Sequence, residues 1–364
     1  VRLVVACGLL VAAVAAPFVV APFPGQVEAL FSRRLYPLAA RLLAHVTSGV
    51  PFPVAEAAAL LLVLGAFVFF WTLVGAWRRG IGRRRRLLSS AATRLVLVAA
   101  IGYAVFLTCW GFNYRRLPFA TTSGLDVGPV AIAELVELAD ALVAESNALR
   151  AGRHEDADGA FRAEAGVLSR APRGNEVLRI RFASLAGPTP RPKPAWLSPL
   201  LSRVGIAGIY IPFTAEPLVN AALPEAELPW SASHEIAHAQ GFAREDEANF
   251  VAYLACREHP DPDFRYSGSL VASFYVVSAL AGSDPPAARR IDARRSEAVR
   301  RDVAAIVAWQ VLYAGPLRDA GERVNDAYLR SQGTRDGVRS YGRMVDLLVA
   351  TRRPQAGRVL GSAP

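Results

Sequence analysis

Residues 230–250 read W-S-A-S-H-E-I-A-H-A-Q-G-F-A-R-E-D-E-A-N-F and hold two of the five histidines in the chain. In a helix, positions four apart differ by about 40° in direction, so His234 and His238 present their imidazoles from one face, one turn apart. That pair suits two ligands of one tetrahedral zinc ion. Glu235, beside the first of them, is placed to take a proton from a water that the metal acidifies and to pass it to a leaving amine. One zinc per chain is the expected cofactor, although the same donor types accept cobalt or manganese in vitro.

A catalytic zinc usually takes three protein ligands and keeps a fourth position open, so a third ligand is required. Gly241 is placed to end the motif helix, because a glycine just past the last turn adopts the left-handed cap. The chain can then fold back into R-E-D-E-A-N-F-V-A-Y-L-A-C, which has helical spacing and supplies Glu245, Asp246 and Glu247. Glu245 and Asn249 share a face, flanked by Phe250, Val251 and Leu254. Glu245 is therefore the preferred third ligand and Asn249 its support. Glu247, on another face of that helix, is the rival. Arg244 stands where an H-E-x-x-H-x-x-G-x-x-H site would carry its third histidine, which argues against that class. By itself an acidic run such as REDE is a solvated helix face. Its place behind H-E-I-A-H and Gly241 gives it the metal reading.

Other residues offer less. Tyr253, His259, Tyr266 and Tyr275 lie downstream, and any of them could donate to an oxyanion, but aromatic packing is the plainer account of each. His45 and His154 read as solvated. The stretch YLRSQGTRDGVRSYGRM at 328–344 could hold a carboxylate or phosphate, and reads more simply as a basic face of an ordinary domain. Cys7, Cys109 and Cys256 lack the spacing of a disulfide framework or a structural zinc site and read as packing residues.

The elements that position the motif begin with membrane sequence. The 364 residues are 53% apolar, with a formal charge of +10 and a mean hydropathy of +0.27, which places part of the chain in lipid. Apolar runs at about 3–22, 54–77 and 95–112 are near the roughly 20 helical residues that cross a hydrocarbon core. The first reads as an uncleaved span, too long for the short apolar core of a signal peptide. Much of the positive charge is one cluster, Arg78, Arg79, Arg83, Arg84, Arg85, Arg86 and Arg94, between the second and third runs. That pattern favours topology over nucleic-acid binding and sets the loop in the cytoplasm. The N-terminus is then cytoplasmic too, and residues 23–53 and everything after about 113 lie outside. Arg115 and Arg116 count mildly against this orientation. The chain thus divides into a membrane part, 1–113, and an extracytoplasmic domain, 114–364.

Within that domain, 130–150 has the spacing of an amphipathic helix, 177–185 alternates like a strand, and 188–194 reads as an extended proline-rich connector. Gly205 to Phe213 reads as a strand ending at Pro212. The apolar run Leu270 to Gly282 is too short to span and reads as a buried helix. Residues 214–268 are too charged and proline-rich for an intramembrane protease site.

H-E-I-A-H followed by an E-x-x-A-N helix resembles the Glu-zincin (gluzincin) peptidases. More closely, GIYIPFTAEP, HEIAHAQGFAREDEANFVAYLAC and GVRSYGRMVDLLVA resemble a bacterial family of membrane-anchored, zincin-like proteins catalogued as a domain of unknown function. The resemblance implies an α+β, mainly α fold: N-terminal transmembrane helices followed by a zincin-like metallopeptidase domain with a small β-sheet. It also implies that Gly208, Ile209, Tyr210 and Ile211 form a strand that pairs with an extended peptide substrate. The short link between His238 and Glu245 departs from the commoner zincin pattern. The expected activity is a zinc-dependent peptidase acting on an unidentified protein or peptide. The alternative is a sensor or scaffold that binds a peptide or cell-envelope ligand without turnover.

Overall fold

The computed structural model describes residues 2–79, 84–334, 337 and 342–353. Arg83 of the basic loop, and 335–336 and 338–341 of the basic C-terminal stretch, lie outside the described residues. Helix accounts for 71% of the structure and strand for 4%, which agrees with a mainly α protein carrying a small sheet.

Three helices are long and apolar enough to cross a membrane: α1 (Arg2–Val20), α3 (Val54–Arg79) and the Leu87–Cys109 part of α4 (Arg84–Cys109). Their outer faces are bare hydrocarbon: Val4, Val11 and Val19 on α1, Leu61, Leu62 and Val63 on α3, and Leu95 and Val98 on α4 are all exposed. Such surface has no place in water and is ordinary in lipid. α1 packs along α4, and both end beside the rest of the protein, since Arg115, just past α4, lies over the ring of Phe18 near the end of α1. α3 runs the other way. Its first turn is fixed by Glu216, which accepts from the Val54 and Ala55 amides at 2.9 and 2.7 Å, and its own Glu56 accepts from the amides of Trp196 and Leu197.

The segment between the first two spans is not the loop that its sequence suggests. It forms a wide π-helical stretch, Val27–Leu35, continuing into α2 (Tyr36–Ser48). Leu38, Leu42 and Val46 of α2 are exposed while Tyr36, Ala40, Ala44 and Thr47 are buried. Apolar residues on both faces blur the helical period, which hid the helix in the sequence. His45 is exposed on α2, and His154 is exposed in the 151–159 turn.

Beyond the spans, α5 (Ile132–Arg150) is the expected amphipathic helix and buries Leu135, Leu138, Leu142 and Val143. Residues 177–185 are not a strand. They fall largely in α6 (Pro172–Arg181), where Pro172 starts the helix and Gly174, Asn175 and Leu178 face inward while Ile180 is 87% exposed. Gly174 lets that helix close onto the Ala255 carbonyl, with no room there for a Cβ. The proline-rich connector contains a two-residue strand, β1 (Lys193–Pro194). It is followed by α7 (Ser198–Arg203), β2 (Gly208–Ile211) and β3 (Glu216–Val219). β3 is central: it pairs parallel with β1 and antiparallel with β2, with Ile209 opposite Leu218 and Tyr210 opposite Pro217.

Then come α8 (Leu228–Ala239), α9 (Glu245–Arg257) and α10 (Pro262–Ser283), which takes in the apolar run from Leu270. They are followed by α11 (Pro285–Asp292), α12 (Glu297–Leu312), α13 (Pro316–Ser331) and α14 (Met344–Ala350). Leu138 and Leu142 of α5, Phe250 of α9, Val276 and Leu280 of α10 and Leu348 of α14 share the largest core. The starts of α10, α11 and α12 are capped by Asp261, Asp284 and Ser296, each accepting a backbone N–H of the first turn. Cys256 is buried between Ser233 and the Pro229 carbonyl, and burial pushes its thiol up to about 12, so it is a packing residue; the three cysteines are unpaired.

Candidate metal centre

The motif helix ends as Gly241 requires. Gly241 has φ of 95°, its N–H bonds the His238 carbonyl at 2.8 Å, and the Phe242 N–H bonds the Ala237 carbonyl at 3.2 Å. This is the Schellman cap, which satisfies the last carbonyls of the helix and reverses the chain within two residues. The reversal aims the Phe242 carbonyl back at His238, whose Nδ1 lies 2.6 Å from it. In the neutral ring, donation from Nδ1–H to that carbonyl fixes the tautomer and puts the lone pair on Nε2.

Three residues on, Arg244 begins α9, and its first turn carries Glu245 back over the motif. Glu245 Oε2 stands 3.3 Å from His234 Nε2 and 3.5 Å from His238 Nε2. The two imidazoles lie edge to face, 4.6 Å between centroids. One donor atom from each residue falls within 4.8 Å of the others, which is the one such group of His, Cys, Asp or Glu among the described residues. About a tenth of each side chain is exposed, so the cluster is largely buried but still reaches the surface. Burial opposes charge on both Glu245 and His238, yet their mutual attraction prevails. It holds the carboxyl well below its usual range and lifts the imidazole to about 9. Glu245 and His238 thus form an ion pair, and two imidazoles with one carboxylate are a donor set suited to zinc.

Glu235 is 4% exposed and lies beside the cluster. Burial raises its pKa, which the two histidines partly offset. It accepts the Tyr210 N–H of β2, while its Oε2 has no hydrogen-bond partner among the described residues. Gly208 is pressed against it, since a Cβ there would stand 2.6 Å from Oε1. Strand β2 has β3 on one side only, and Glu235 lies against its other edge at Gly208 and Tyr210. Tyr210 sits opposite Pro217, which has no N–H to offer, consistent with a Tyr210 amide that points away from β3.

The remaining residues separate. Glu247 is turned away from the histidines and accepts from the Phe119 amide at 2.8 Å and Arg244 Nη1 at 3.0 Å. Asn249 is buried one turn beyond Glu245, and the hydrogen bond it makes is to the Tyr275 hydroxyl, 3.3 Å away, not to Glu245. Tyr275 is lifted to about 12 by burial and by the charges of Glu245 and Glu227. It therefore borders the site, whereas the other three downstream residues are engaged elsewhere. Tyr266 bonds Asp302, His259 bonds the Arg170 carbonyl and stacks on Phe264, and Tyr253 packs in the main core.

Sequence reasoning missed the support from the membrane side. The Tyr36 hydroxyl donates to the Ala239 carbonyl at 2.8 Å, where α8 ends, and lies 3.2 Å from the Tyr210 hydroxyl. Trp110 packs edge-on against His238. Arg116, 1% exposed, donates two parallel hydrogen bonds to the buried Glu28 carboxylate and a third to the Gly241 carbonyl at 3.0 Å. Tyr114 and Tyr328 meet at 3.2 Å, and both feel the charge of Glu245. All these contacts span from 88 to more than 200 positions, so no local pattern announces them.

No curated protein and no solved structure matches the chain. The family described as "Protein of unknown function (DUF3810)" matches residues 31–349, which covers α3, α4, the sheet and the cluster of His234, His238 and Glu245 alike, and the chain belongs to that family.

Proposed function

We propose that the protein is a membrane-anchored zinc hydrolase of the zincin kind, a peptidase, with its catalytic domain outside the cytoplasm. The observation that carries this reading is the convergence of His234, His238 and Glu245 within 4.8 Å, with the buried carboxylate of Glu235 beside them. Zinc held by these three residues would acidify a water and polarise the scissile carbonyl. Glu235 would serve there as the general base and then as the proton donor to a leaving amine, a role helped by a pKa that burial raises. β2, which pairs with β3 on one side only, is the strand to test for pairing with an extended peptide, and Tyr275 is the oxyanion donor to test first. A binding module has no need of a general base, which weighs against the sensor or scaffold.

The membrane reading rests on the three bare apolar helices, and the orientation on the arginines between α3 and α4. The test is elemental analysis of the purified protein together with hydrolysis of a quenched fluorescent peptide library, for wild type and Glu235→Gln. About one zinc per chain in both, with turnover in wild type alone, is the expected result. Zinc without turnover in either moves the assignment to the sensor or scaffold, and no zinc after reconstitution removes the metallohydrolase.

A further inference from the structure

At the end of α1 and just beyond α4 lies a cavity of about 500 Å³ whose wall holds four arginines, Arg115, Arg116, Arg244 and Arg343, and, among the described residues, no carboxylate. Ala21 and Pro24 line its other side. Three of the arginines are steadied from behind: Arg116 by Glu28, Arg244 by Glu247, and Arg343 by Asp246 at 3.7 Å. Arg115 is different. Its Nε is buried and has no hydrogen-bond partner among the described residues, and its guanidinium is wedged between Phe18 and Gly333. Burial lowers its pKa, and the positive charge of Arg244 lowers it further. A buried guanidinium donor facing like charge is costly unless an anion completes it.

The place of the cavity narrows the choice of anion. α1 and α4 both terminate at it, so when these helices span a bilayer the cavity sits at headgroup depth. Exposed Phe18 and Val19 continue from its rim along α1 into the apolar zone, where acyl chains would lie. Guanidinium forks match phosphate oxygens in pairs. We propose that the cavity binds the phosphate of an anionic phospholipid headgroup, with Arg115 as its principal donor. The proposal depends on the membrane reading of the spans and is independent of the metal.

The test uses the full chain in a neutral detergent, with thermal unfolding followed as short-chain phosphatidylglycerol, short-chain phosphatidylcholine or inorganic phosphate is added. Phosphatidylglycerol should stabilise the wild type at lower concentration than the other two. Arg115→Gln should weaken that binding at least about tenfold, or about 1.4 kcal/mol, with Arg115→Lys restoring part of it. Arg343→Gln, at the opposite wall, should weaken it as well and guards against misfolding of one variant. Unchanged lipid binding in both glutamine variants overturns the proposal, and so does inorganic phosphate that binds as tightly as the lipid. Zinc content measured on the same samples keeps a failure here distinct from a failure of the metal centre.

Discussion

Gly208→Ala tests the seat of Glu235 without any knowledge of the substrate. A Cβ at position 208 would stand 2.6 Å from Oε1, 2.8 Å from Cγ and 2.9 Å from Cδ of Glu235. The carboxylate cannot swing aside, because it is 4% exposed and held by the Tyr210 amide. Overpacking of this kind costs about 1–3 kcal/mol, which lowers Tm by roughly 2–4 °C per kcal/mol in a domain of this size. In a Glu235→Ala background the clashing atoms are gone, and the same substitution should cost almost nothing. The double-mutant cycle read by thermal unfolding in detergent therefore predicts a coupling of about 1–3 kcal/mol. Zinc content should stay at wild-type level in Gly208→Ala, since no donor atom is touched. Where a substrate is found, a displacement of about 1 Å in the base should cut turnover by about 10². Equal destabilisation in both backgrounds would refute the claim that Gly208 is small for the sake of Glu235.

Elemental analysis should show zinc lost from His238→Ala and Glu245→Ala and kept by Glu247→Ala. The last should instead unfold more easily by about 1–3 kcal/mol, because the Phe119 amide loses its acceptor. Zinc at a hundredfold excess over its Kd should stabilise the stripped protein by about 2.7 kcal/mol, as judged by Tm, and should do nothing for Glu245→Ala. For the Glu28–Arg116 pair, burial opposes the charged carboxylate but Arg116 outweighs it and lowers the Glu28 pKa below the usual 4.5. Its contribution is therefore complete above that value and is lost as pH falls through the lowered pKa. Glu28→Gln should cost about 3–5 kcal/mol at neutral pH, and should flatten the acid limb of stability measured between neutral pH and the onset of acid unfolding.

How much of this was legible in the sequence depends on the range of the contact. The pairing of His234 with His238 follows from one helical turn, and the reversal at Gly241 follows from a backbone conformation that glycine favours, so both could be read locally. The separation of Glu245 from Glu247 on α9 was legible for the same reason. The strand expected at 177–185 failed because a short alternating run beginning near a proline also fits a helix, and only packing against α9 decides. The helix at Tyr36–Ser48 was hidden because it answers to two environments, with leucines outward and small residues inward. Tyr36, Trp110, Tyr114 and Arg116 could not be foreseen at all, since their partners lie in distant parts of the chain.

Those four residues change what the membrane segments are for. A tether would need only to end near the domain, yet here Tyr36 holds the end of α8, Trp110 packs on His238, and Arg116 fixes the Gly241 turn. The turn in turn places the carbonyl that sets the tautomer of His238. Residues 27–48 and 110–116 are thus walls of the site, and one small core joins Tyr36, Trp110, Tyr210 and Ala239. A fragment that begins after the third span would leave the Ala239 carbonyl and the His238 edge without these partners and would expose Tyr210. The helix that carries His234 and His238 consequently shares a core with the segments that flank the apolar helices, and losing those segments should disturb the site itself.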